Sequence, residues 1–444
     1  MDIPSHIRAS CHDLVTAPRS QLPSLDVLRT FAVLLVVMQH FADLGKVEFP
    51  TLSGVFDSPV FRFGWTGVDL FFVLSGFLIG RQLWREFERS GTIDVKRFVL
   101  RRGFRIWPLY LVFIIISPAL TNTWHYRWGD WVFLSNYVGG RVEGGWSLAT
   151  EEQFYIIAPL AIVLLARWVG LRGWLRLIPL AIAGTIAARI VTAHGLLARG
   201  LDPLAVKDAM YTPFHLHSAG LLVGLLAALT SVLRPEWFFG KRSKFRSPLP
   251  YIGFAAIVLG IALREYNNIV FPFLALGVIY GGVMVALIPS QEGPLGVFRA
   301  TPFYTLSRLS YGMYLNHLAI LRWITPVVSR TAERMTGAAS AGASLALIVT
   351  VALSVLFSAI LFAAVERPFL DLRERFIGRR SLAGAPVAAS IELPVAAAIE
   401  LSAAPVRTTD VVSADAVDRG AAAKAPVEAP EMYAAHDRDA NTNT

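Results

Sequence analysis

Arg29 and His40 are the first residues in this sequence whose types and spacing can support chemistry. Both lie in the apolar stretch LDVLRTFAVLLVVMQHF, residues 25–41. Ionisable side chains at bilayer depth are costly and are usually retained for a function. Eleven positions at about 100° per residue place both on one helix face, separated by about 16 Å of helical rise. The spacing suits an anion that binds Arg29 near one mouth of a cavity and a reaction at His40 deeper inside. Alternatively, Arg29 extends to the lipid headgroups and His40 is a hydrogen-bonded packing residue.

Two further arginines open another apolar segment. The stretch RRGFRIWPLY, residues 101–110, contains Arg102 and Arg105, which are three positions apart and therefore share a helix face. Guanidinium groups in that arrangement can hold phosphate oxygens by bidentate hydrogen bonds. Lipid headgroups are the alternative ligand, since clusters of positive charge commonly flank membrane segments.

Acidic residues inside apolar segments supply candidate partners for these groups. Asp69 lies in GVDLFFVLSGFLI, where a carboxylate needs a histidine or arginine from a neighbouring helix. Glu151 and Glu152 lie in WSLATEEQFY and point about 100° apart on a helix, so at most one faces the same cavity as His40. Ser147, just upstream, also permits a helix-start role for these glutamates.

The remaining histidines and the cysteine form no metal-binding pattern. His215 and His217 are two positions apart and point away from each other on a helix, and His317 lies in LSYGMYLNH. The sequence contains no HExxH motif, cysteine cluster or carboxylate ladder, and Cys11 is the one cysteine. We therefore expect no metal cofactor and no intramolecular disulfide bond.

Composition indicates the class of protein. The 444 residues are 55% hydrophobic and 16% charged, with a mean hydropathy of +0.53, which is too apolar for a soluble protein. The net charge is +9 and the pI is about 9.8. In a membrane chain such basic residues mark cytoplasmic connections, so we expect no nucleic-acid partner.

About ten apolar segments are long enough, or nearly so, to cross a hydrocarbon core of roughly 30 Å. They lie near residues 25–44, 64–82, 105–121, 148–167, 174–193, 212–232, 249–264, 268–289, 305–325 and 342–364. The segments lack the two-residue alternation of barrel strands, so the sequence predicts an all-α polytopic membrane bundle. Basic residues concentrate in the second and sixth connections and after the last segment, which places both termini in the cytoplasm.

Three regions follow from this pattern. Residues 1–24 are a polar cytoplasmic segment without the features of a signal peptide, so we expect the first apolar segment to remain in the mature protein. Residues 25–380 are the transmembrane domain. Residues 381–444 are rich in Ala, Pro and Val and lack aromatic periodicity, which is typical of a disordered, low-complexity cytoplasmic tail.

Taken together, the motifs resemble those of the acyltransferase-3 family of bacterial membrane-bound O-acyltransferases. The resemblance rests on Arg29 and His40 with ten residues between them, on the pair Arg102 and Arg105, and on GVDLFFVLSGFLI, WSLATEEQFY, LSYGMYLNH and ERPF, in this order. It implies a bundle of about ten helices. It also implies transfer of an acyl group, commonly acetyl, from cytoplasmic acyl-CoA to hydroxyls of surface glycans, lipid-linked sugars or small metabolites. Some members carry an SGNH domain, which the low-complexity tail does not resemble.

The resemblance implies that the arginines bind the donor. Acyl-CoA is anionic at its nucleotide end and thin along its pantetheine arm, so the nucleotide can stay at a basic cytoplasmic mouth while the thioester enters the bundle. Arg29, Arg102 and Arg105 are then the residues that bind phosphates or orient the arm. The arm can span the helical rise of about 16 Å between Arg29 and His40.

The resemblance implies that His40 performs the chemistry. As a neutral imidazole it would remove the proton of the acceptor hydroxyl while the oxygen attacks the thioester carbonyl, with Asp69 or Glu152 holding its other nitrogen. A route in which His40 attacks first and forms an acyl-imidazole stays open. The acceptor would arrive from the outer side, where aromatic residues can stack on sugars or anchor the chain at the membrane interface. These aromatic residues are Trp124, Tyr126, Trp128, Trp131 and Trp146.

A transporter or flippase for lipid-linked sugars is the alternative function. In that case the buried charges would line a path through the membrane and no covalent bond would form. Consumption of acyl-CoA separates the two functions, because only the enzyme uses the donor.

Overall fold

The computed structural model describes residues 12–16, 22–121, 128–239, 270–288 and 301–377. These residues belong to one compact unit, Met1–Ser402, while a second unit, Ala403–Thr444, lies outside them. The predicted segment at 249–264, the predicted tail at 381–444 and the aromatic residues Trp124 and Tyr126 also lie outside the described residues. The division into a cytoplasmic segment, a membrane domain and a tail therefore stays a prediction.

Helices form all of the regular structure within the described residues, as the apolar pattern predicts. The longer ones are α1 (Pro23–Glu48), α2 (Gly67–Ser90), α3 (Val95–Thr121), α4 (Gly145–Leu165), α5 (Trp174–Ala198), α6 (Ala219–Leu233), α7 (Pro272–Leu287), α8 (Thr301–Trp323), α9 (Thr325–Thr336), α10 (Ala339–Leu361) and α11 (Arg367–Ile377). Shorter turns of helix lie at Pro50–Leu52, Ser53–Phe56, Pro59–Arg62, Gly64–Thr66, Gly129–Val132, Ser135–Val138, Pro203–Ala209, Phe214–His217 and Pro235–Phe238, and a π turn at Phe362–Glu366 joins α10 to α11.

Several helices are long and apolar enough to cross a membrane. Within the described residues there are five such stretches by length and composition, at Pro23–Glu48, Pro59–Ser90, Gly145–Leu165, Trp174–Ala198 and Ala339–Ile377. Two more helices, α6 and α7, are apolar but shorter. A helix satisfies its own backbone polar groups in hydrocarbon, which is why continuous apolar runs form helices here. The chain is therefore a helical membrane protein, and the count of about ten segments stays a prediction.

Hydropathy underestimates the length of two helices. The apolar segments predict a connection between residues 82 and 105, but α2 continues to Ser90 and α3 begins at Val95. The end of α2 is rich in good helix formers, and Gly91, with a φ of 69°, provides the left-handed residue that ends it. The basic residues of this connection therefore belong to ordered helix ends.

Small residues permit the closest contact between helices. A Cβ atom at Gly76 of α2 would collide with the backbone of α6, and one at Gly224 of α6 would collide with the backbone of α2. Gly80 likewise faces Ala228 and Leu225 of α6. The glycines of α2 therefore serve helix packing, because small residues four positions apart let two helices approach closely. The polar side chains of α2 are thereby held at defined positions in the bundle.

α1 and α8 lie side by side and run in the same direction. Thr30, near the start of α1, donates to the carbonyl oxygen of Phe303 at 3.2 Å, and His40, further along, contacts His317 at 3.0 Å. The two contacts follow the same order along both helices, which shows that they are parallel. We call the end of the bundle nearer to Arg29 of α1 the arginine end, and the end nearer to His40 the histidine end.

α4 starts at the histidine end and runs toward the arginine end. Its first residue, Gly145, faces Tyr110 of α3, and further along Glu152 accepts a hydrogen bond from Trp107 of α3 at 2.9 Å. Tyr110 follows Trp107 in α3, so the two helices are antiparallel. This direction carries the glutamates of α4 toward the arginines of α3.

Candidate active site

The predicted donor-binding arginines lie together at the arginine end. Arg102 of α3 interacts electrostatically with Arg29 of α1 and with Glu151 and Glu152 of α4. Arg105 interacts with both Arg29 and Arg102. All three arginine side chains are half-buried, so a ligand can reach them. The structure thus places Arg102 and Arg105 of α3 close to Arg29 of α1.

Two residues without an assigned role join this cluster. Arg308 of α8 and Glu366 of the π turn interact electrostatically with Arg105. Within the described part of the chain, the cluster then contains four arginines and three glutamates, so one positive charge remains when all seven are ionised. An excess of guanidinium groups suits an anionic ligand such as a phosphate.

Glu151 and Glu152 point in different directions, as their adjacency predicts. Glu151 accepts hydrogen bonds from Ser75 at 2.7 Å and from Tyr155 at 3.0 Å. Glu152 Oε2 accepts from Trp107 Nε1 at 2.9 Å, and its buried Oε1 has no hydrogen-bond partner among the described residues. A buried carboxylate oxygen without a donor is costly. Glu152 Oε1 is therefore available to a donor on a ligand.

α4 begins without the capping arrangement that its sequence permits. Its N-cap residue is Gly144, and no side chain caps the helix start. Ser147 instead donates to the Gly144 carbonyl oxygen at 3.1 Å and shares a 2.6 Å hydrogen bond with Tyr314 of α8. The glutamates that follow contact the interior of the bundle rather than the start of their own helix.

His40 meets a second imidazole, His317. His317 Nδ1 lies 3.1 Å from the carbonyl oxygen of Met313, and His317 Nε2 lies 3.0 Å from His40 Nδ1. A carbonyl oxygen only accepts hydrogen bonds, so His317 Nδ1 carries a proton and, in a neutral ring, its Nε2 is an acceptor. His40 Nδ1 then donates to that nitrogen. His40 Nε2 is left unprotonated, which is the state that a general base requires.

The sequence predicts a carboxylate, Asp69 or Glu152, as the partner of His40. The hydrogen bond that the structure shows for His40 goes to His317 instead, and Glu152 bonds Trp107. His317 carries two sequence signals: it is a titratable residue in a predicted membrane segment, and it ends the LSYGMYLNH motif. Helical periodicity does not connect two residues 277 positions apart.

Asp69 has a histidine partner, and that partner is His217. His217 Nε2 lies 3.1 Å from Asp69 Oδ1, and the two side chains are 0% and 1% exposed. His217 Nδ1 faces the carbonyl oxygen of Tyr211 at 2.5 Å, so that nitrogen also carries a proton. The hydrogen bond between His217 Nε2 and Asp69 Oδ1 therefore has its proton in one of two places. The proton is either on His217, which is then an imidazolium, or on Asp69, which is then a carboxylic acid. The prediction that the Asp69 carboxylate has a histidine or arginine partner is confirmed.

The two histidines of the FHLH turn have separate partners. His215 Nδ1 contacts Tyr137 OH at 3.0 Å, whereas His217 faces Asp69. Their divergence agrees with two-residue spacing on a helix. Across the described ranges, no three His, Cys, Asp or Glu side chains are grouped as ligands for one metal ion.

The arginines and the histidines lie at different depths in the bundle. Arg29 precedes His40 in α1 by a helical rise of about 16 Å. Along α8, Arg308 precedes His317 by nine residues, or about 14 Å. Tyr311 lies between them on the same helix. A ligand that contacts both groups would therefore have to span about 14 to 16 Å.

Known proteins share this sequence pattern. Residues 22–362 match a family model described as an acyltransferase domain. The chain is 28% identical over 347 residues to "Peptidoglycan O-acetyltransferase OatA" of Listeria monocytogenes, in an alignment that covers 70% of this chain and 51% of that protein. It is 26% identical over 335 residues to "Putative peptidoglycan O-acetyltransferase YrhL" of Bacillus subtilis, covering 69% and 49%. The chain thus spans about half the length of these curated relatives. No solved structure matches it.

Proposed function

The chain belongs to the acyltransferase-3 family of acyltransferase enzymes, and we propose that it transfers an acetyl group from cytoplasmic acyl-CoA to a hydroxyl of a glycan at the bacterial inner membrane. Its membrane helices and the names of its relatives support O-acetylation of a polysaccharide. Peptidoglycan is therefore the first acceptor to test. The observation that carries the proposal is the His40–His317 contact, because it leaves His40 Nε2 free to take a proton.

In this proposal the arginine end binds the donor. Arg29, Arg102 and Arg105 supply guanidinium groups from two helices, and such groups hold phosphate oxygens through paired hydrogen bonds. Glu151 and Glu152 offset the mutual repulsion of the arginines when no donor is bound. Glu152 Oε1, which lacks a partner within the described residues, can accept a hydrogen bond from an amide N–H of the pantetheine arm.

At the histidine end His40 acts as the general base. Its Nε2 removes the proton of the acceptor hydroxyl while the hydroxyl oxygen bonds to the thioester carbonyl carbon. The carbon–sulfur bond then breaks, and the proton passes from His40 to the leaving thiolate, so that the products are an acetyl ester and free CoA. His317 holds His40 in the required tautomer by accepting from Nδ1, the task that a carboxylate performs in other base-orienting pairs.

A covalent variant of the reaction uses the same geometry. His40 Nε2 can attack the thioester itself and form an acetyl-imidazole, which the acceptor hydroxyl then cleaves. The two routes differ in whether acetyl-His40 forms when the acceptor is absent. Brief incubation with acetyl-CoA alone, followed by mass spectrometry of the peptide that contains His40, separates them because only the covalent route adds the mass of an acetyl group.

The same proposal assigns the arginine end to the cytoplasm. The basic end of α2 and the basic start of α3 lie at this end, where Arg102 contacts Gln82 at 3.5 Å, and basic connections mark the cytoplasmic side. The histidine end then faces the outside, where a cell-wall glycan is found. In a Cys11→Ser background, a cysteine at Lys96 should resist a membrane-impermeant maleimide in intact cells and a cysteine at Val138 should react. The reverse labelling would contradict this orientation.

Acetyl transfer is tested directly with the purified protein in lipid vesicles. Radiolabelled acetyl-CoA and peptidoglycan fragments are supplied together, and vesicles without the protein serve as the control. We expect label to appear in the glycan as an alkali-labile ester in the sample that contains the protein. Movement of a lipid-linked sugar across the bilayer without any consumption of acetyl-CoA would instead favour a flippase.

A further inference from the structure

A pocket of about 340 Å³ opens at the histidine end, around the start of α4. Its lining includes Asn136, Tyr137, Glu143, Trp146 and Thr212, together with main-chain groups of several glycines. Small-molecule sites usually have volumes of roughly 300–1,000 Å³. We propose that this pocket binds one sugar ring of the acceptor; the inference rests on the acetyl transfer proposed above and adds the place where the glycan is held.

The chemistry of the lining suits an uncharged sugar ring. Tyr137 and Trp146 offer aromatic faces for sugar C–H groups, while Thr212 and main-chain groups can bond hydroxyls. Glu143 is the single charged residue among the described lining residues, and it lies 3.4 Å from Arg322. A nucleotide would require cations. The arginine cluster that can supply them lies at the other end of the bundle, so the pocket fits the acceptor and not the donor.

Hydrogen bonds hold the pocket wall in place without a ligand. Thr212 donates to the carbonyl oxygen of Asn136 at 2.9 Å, and Gln153 of α4 exchanges hydrogen bonds of 2.8 and 3.2 Å with the Asn136 side chain. Asp130 accepts from the backbone N–H of Val142 at 3.0 Å. Ordering a binding site on association weakens affinity, so a wall that is already ordered favours binding.

Trp146 joins this pocket to the Asp69–His217 pair. Its indole ring stacks on His217 with ring centroids 5.3 Å apart and 27° between the planes, and it lies 4.9 Å from the Tyr211 ring. The position of His217 is in turn determined by its contact with Asp69. Asp69 is therefore a positioning residue that acts through His217 on the face that Trp146 presents to the sugar.

Two side chains, Tyr314 and His317, connect the pocket to His40. The carbonyl oxygen of Gly144, which lines the pocket, lies 3.0 Å from Tyr314 OH. The Tyr314 ring lies 5.9 Å from the His317 ring, measured between centroids, and His317 contacts His40. In this proposal, one ring is held in the pocket and a hydroxyl of the next ring along the glycan is directed toward His40.

Kinetics with the purified full-length protein in nanodiscs test the pocket. The donor is acetyl-CoA and the acceptor probe is a peptide-free tetrasaccharide of peptidoglycan. Tyr137→Ala and Trp146→Ala should raise the KM for the tetrasaccharide about five- to tenfold, with the KM for acetyl-CoA within about twofold of wild type. Trp168→Ala is the control, since Trp168 is also an exposed aromatic residue, 68% exposed against 47% for Tyr137, and does not line the pocket.

Trp146→Phe keeps an aromatic face and separates sugar contact from folding. It should have a tetrasaccharide KM closer to that of wild type than Trp146→Ala has, while its melting temperature is unchanged. A tetrasaccharide KM equal to the wild-type value in both Tyr137→Ala and Trp146→Ala would overturn the pocket assignment.

Binding measured without transfer separates the pocket from the proposed function. Saturation-transfer NMR detects contact between the tetrasaccharide and the protein when no acetyl-CoA is present. The pocket is supported if the wild-type signal weakens in Tyr137→Ala but not in Trp168→Ala. That result holds even where no acetyl transfer is found, an outcome that removes only the proposed function. Active transfer combined with equal signals from wild type and Tyr137→Ala removes only the pocket.

Discussion

Among the described residues, the His40–His317 pair and the Asp69–His217 pair are alike at one ring nitrogen and differ at the other. His317 and His217 each direct Nδ1 to a backbone carbonyl oxygen. The Nε2 of His317 meets the imidazole of His40, whereas the Nε2 of His217 meets the carboxylate of Asp69. The same anchoring contact therefore supports two different arrangements of protons.

The difference determines which pair can accept a proton from a substrate. The neutral form of His40 keeps a lone pair on Nε2, and its side chain is half-buried. His217 and Asp69 are both sealed from solvent, and Nε2 of His217 is already engaged. A histidine hydrogen-bonded to a carboxylate is a familiar catalytic pattern, but here the histidine that is hydrogen-bonded to a second imidazole has the free nitrogen. Variants of His40, His317 and Asp69, together with variants of the arginine cluster, test the contrast.

Loss of His40 is expected to have the largest effect. His40→Ala should lower acetyl transfer by about 10²- to 10⁴-fold, since this is the usual contribution of a positioned base. Membrane insertion should persist, because alanine suits a membrane helix at least as well as histidine does. The rate is measured as radiolabel transferred to peptidoglycan, with His194→Ala, an exposed histidine of α5, as the matched control. A wild-type rate in folded His40→Ala protein would contradict its role as the base.

Changes at His317 should come next in size. His317→Leu removes the acceptor for His40 Nδ1–H and should lower kcat roughly 10- to 100-fold, because the base loses its tautomer and orientation. His317→Gln offers an oxygen acceptor and should recover part of this loss. Purified samples of both variants are compared at equal amounts of folded protein. Equal kcat values for the Leu and Gln variants would show that His317 acts through packing alone.

Changes in the arginine cluster should affect the donor and leave the acceptor nearly unchanged. Arg102→Ala and Arg105→Ala should each raise the KM for acetyl-CoA about tenfold or more, as expected for loss of a hydrogen bond to a charged group. Lys96→Ala, which removes an exposed cation from the start of the same helix, is the control. A donor KM unchanged in both arginine variants would remove them from the donor site.

Asp69→Asn should have the smallest effect on catalysis and so gives the sharpest test of the contrast. Asparagine keeps the shape but not the charge, so we expect a lower melting temperature and a tetrasaccharide KM raised about threefold. The kcat at saturating acceptor should stay within about twofold of wild type, because His40 is unaffected. A fall in kcat comparable with that of His40→Ala would show instead that the Asp69–His217 pair takes part in the chemistry.

Much of the fold can be predicted from the apolar segments of the sequence, because these segments contact lipid or the protein core. The first apolar segment, predicted at 25–44, is found as Pro23–Glu48, and the segment predicted at 174–193 is found as Trp174–Ala198. High hydropathy marks the helical residues that contact lipid or the core. It therefore does not detect the polar helix ends between residues 82 and 105. It also misses α11, whose basic residues the sequence assigns to a connection.

The arginine cluster was only partly predictable. Arg102 and Arg105 share a helix face through local spacing, which the sequence contains. Arg308 and Glu366 come to Arg105 from α8 and the π turn, far along the chain. Their contribution depends on how the helices pack, and no local pattern in the sequence encodes it.

Sequence alone determined that this chain is a helical membrane protein and a member of the acyltransferase-3 family, because long apolar runs must satisfy their own hydrogen bonds and because the motifs occur in a specific order. Only the tertiary structure decided that His40 contacts His317 and that Asp69 contacts His217. These partners are 277 and 148 positions apart. Periodicity defines which face of a helix a residue occupies, but the packing of distant helices decides which residue that face meets.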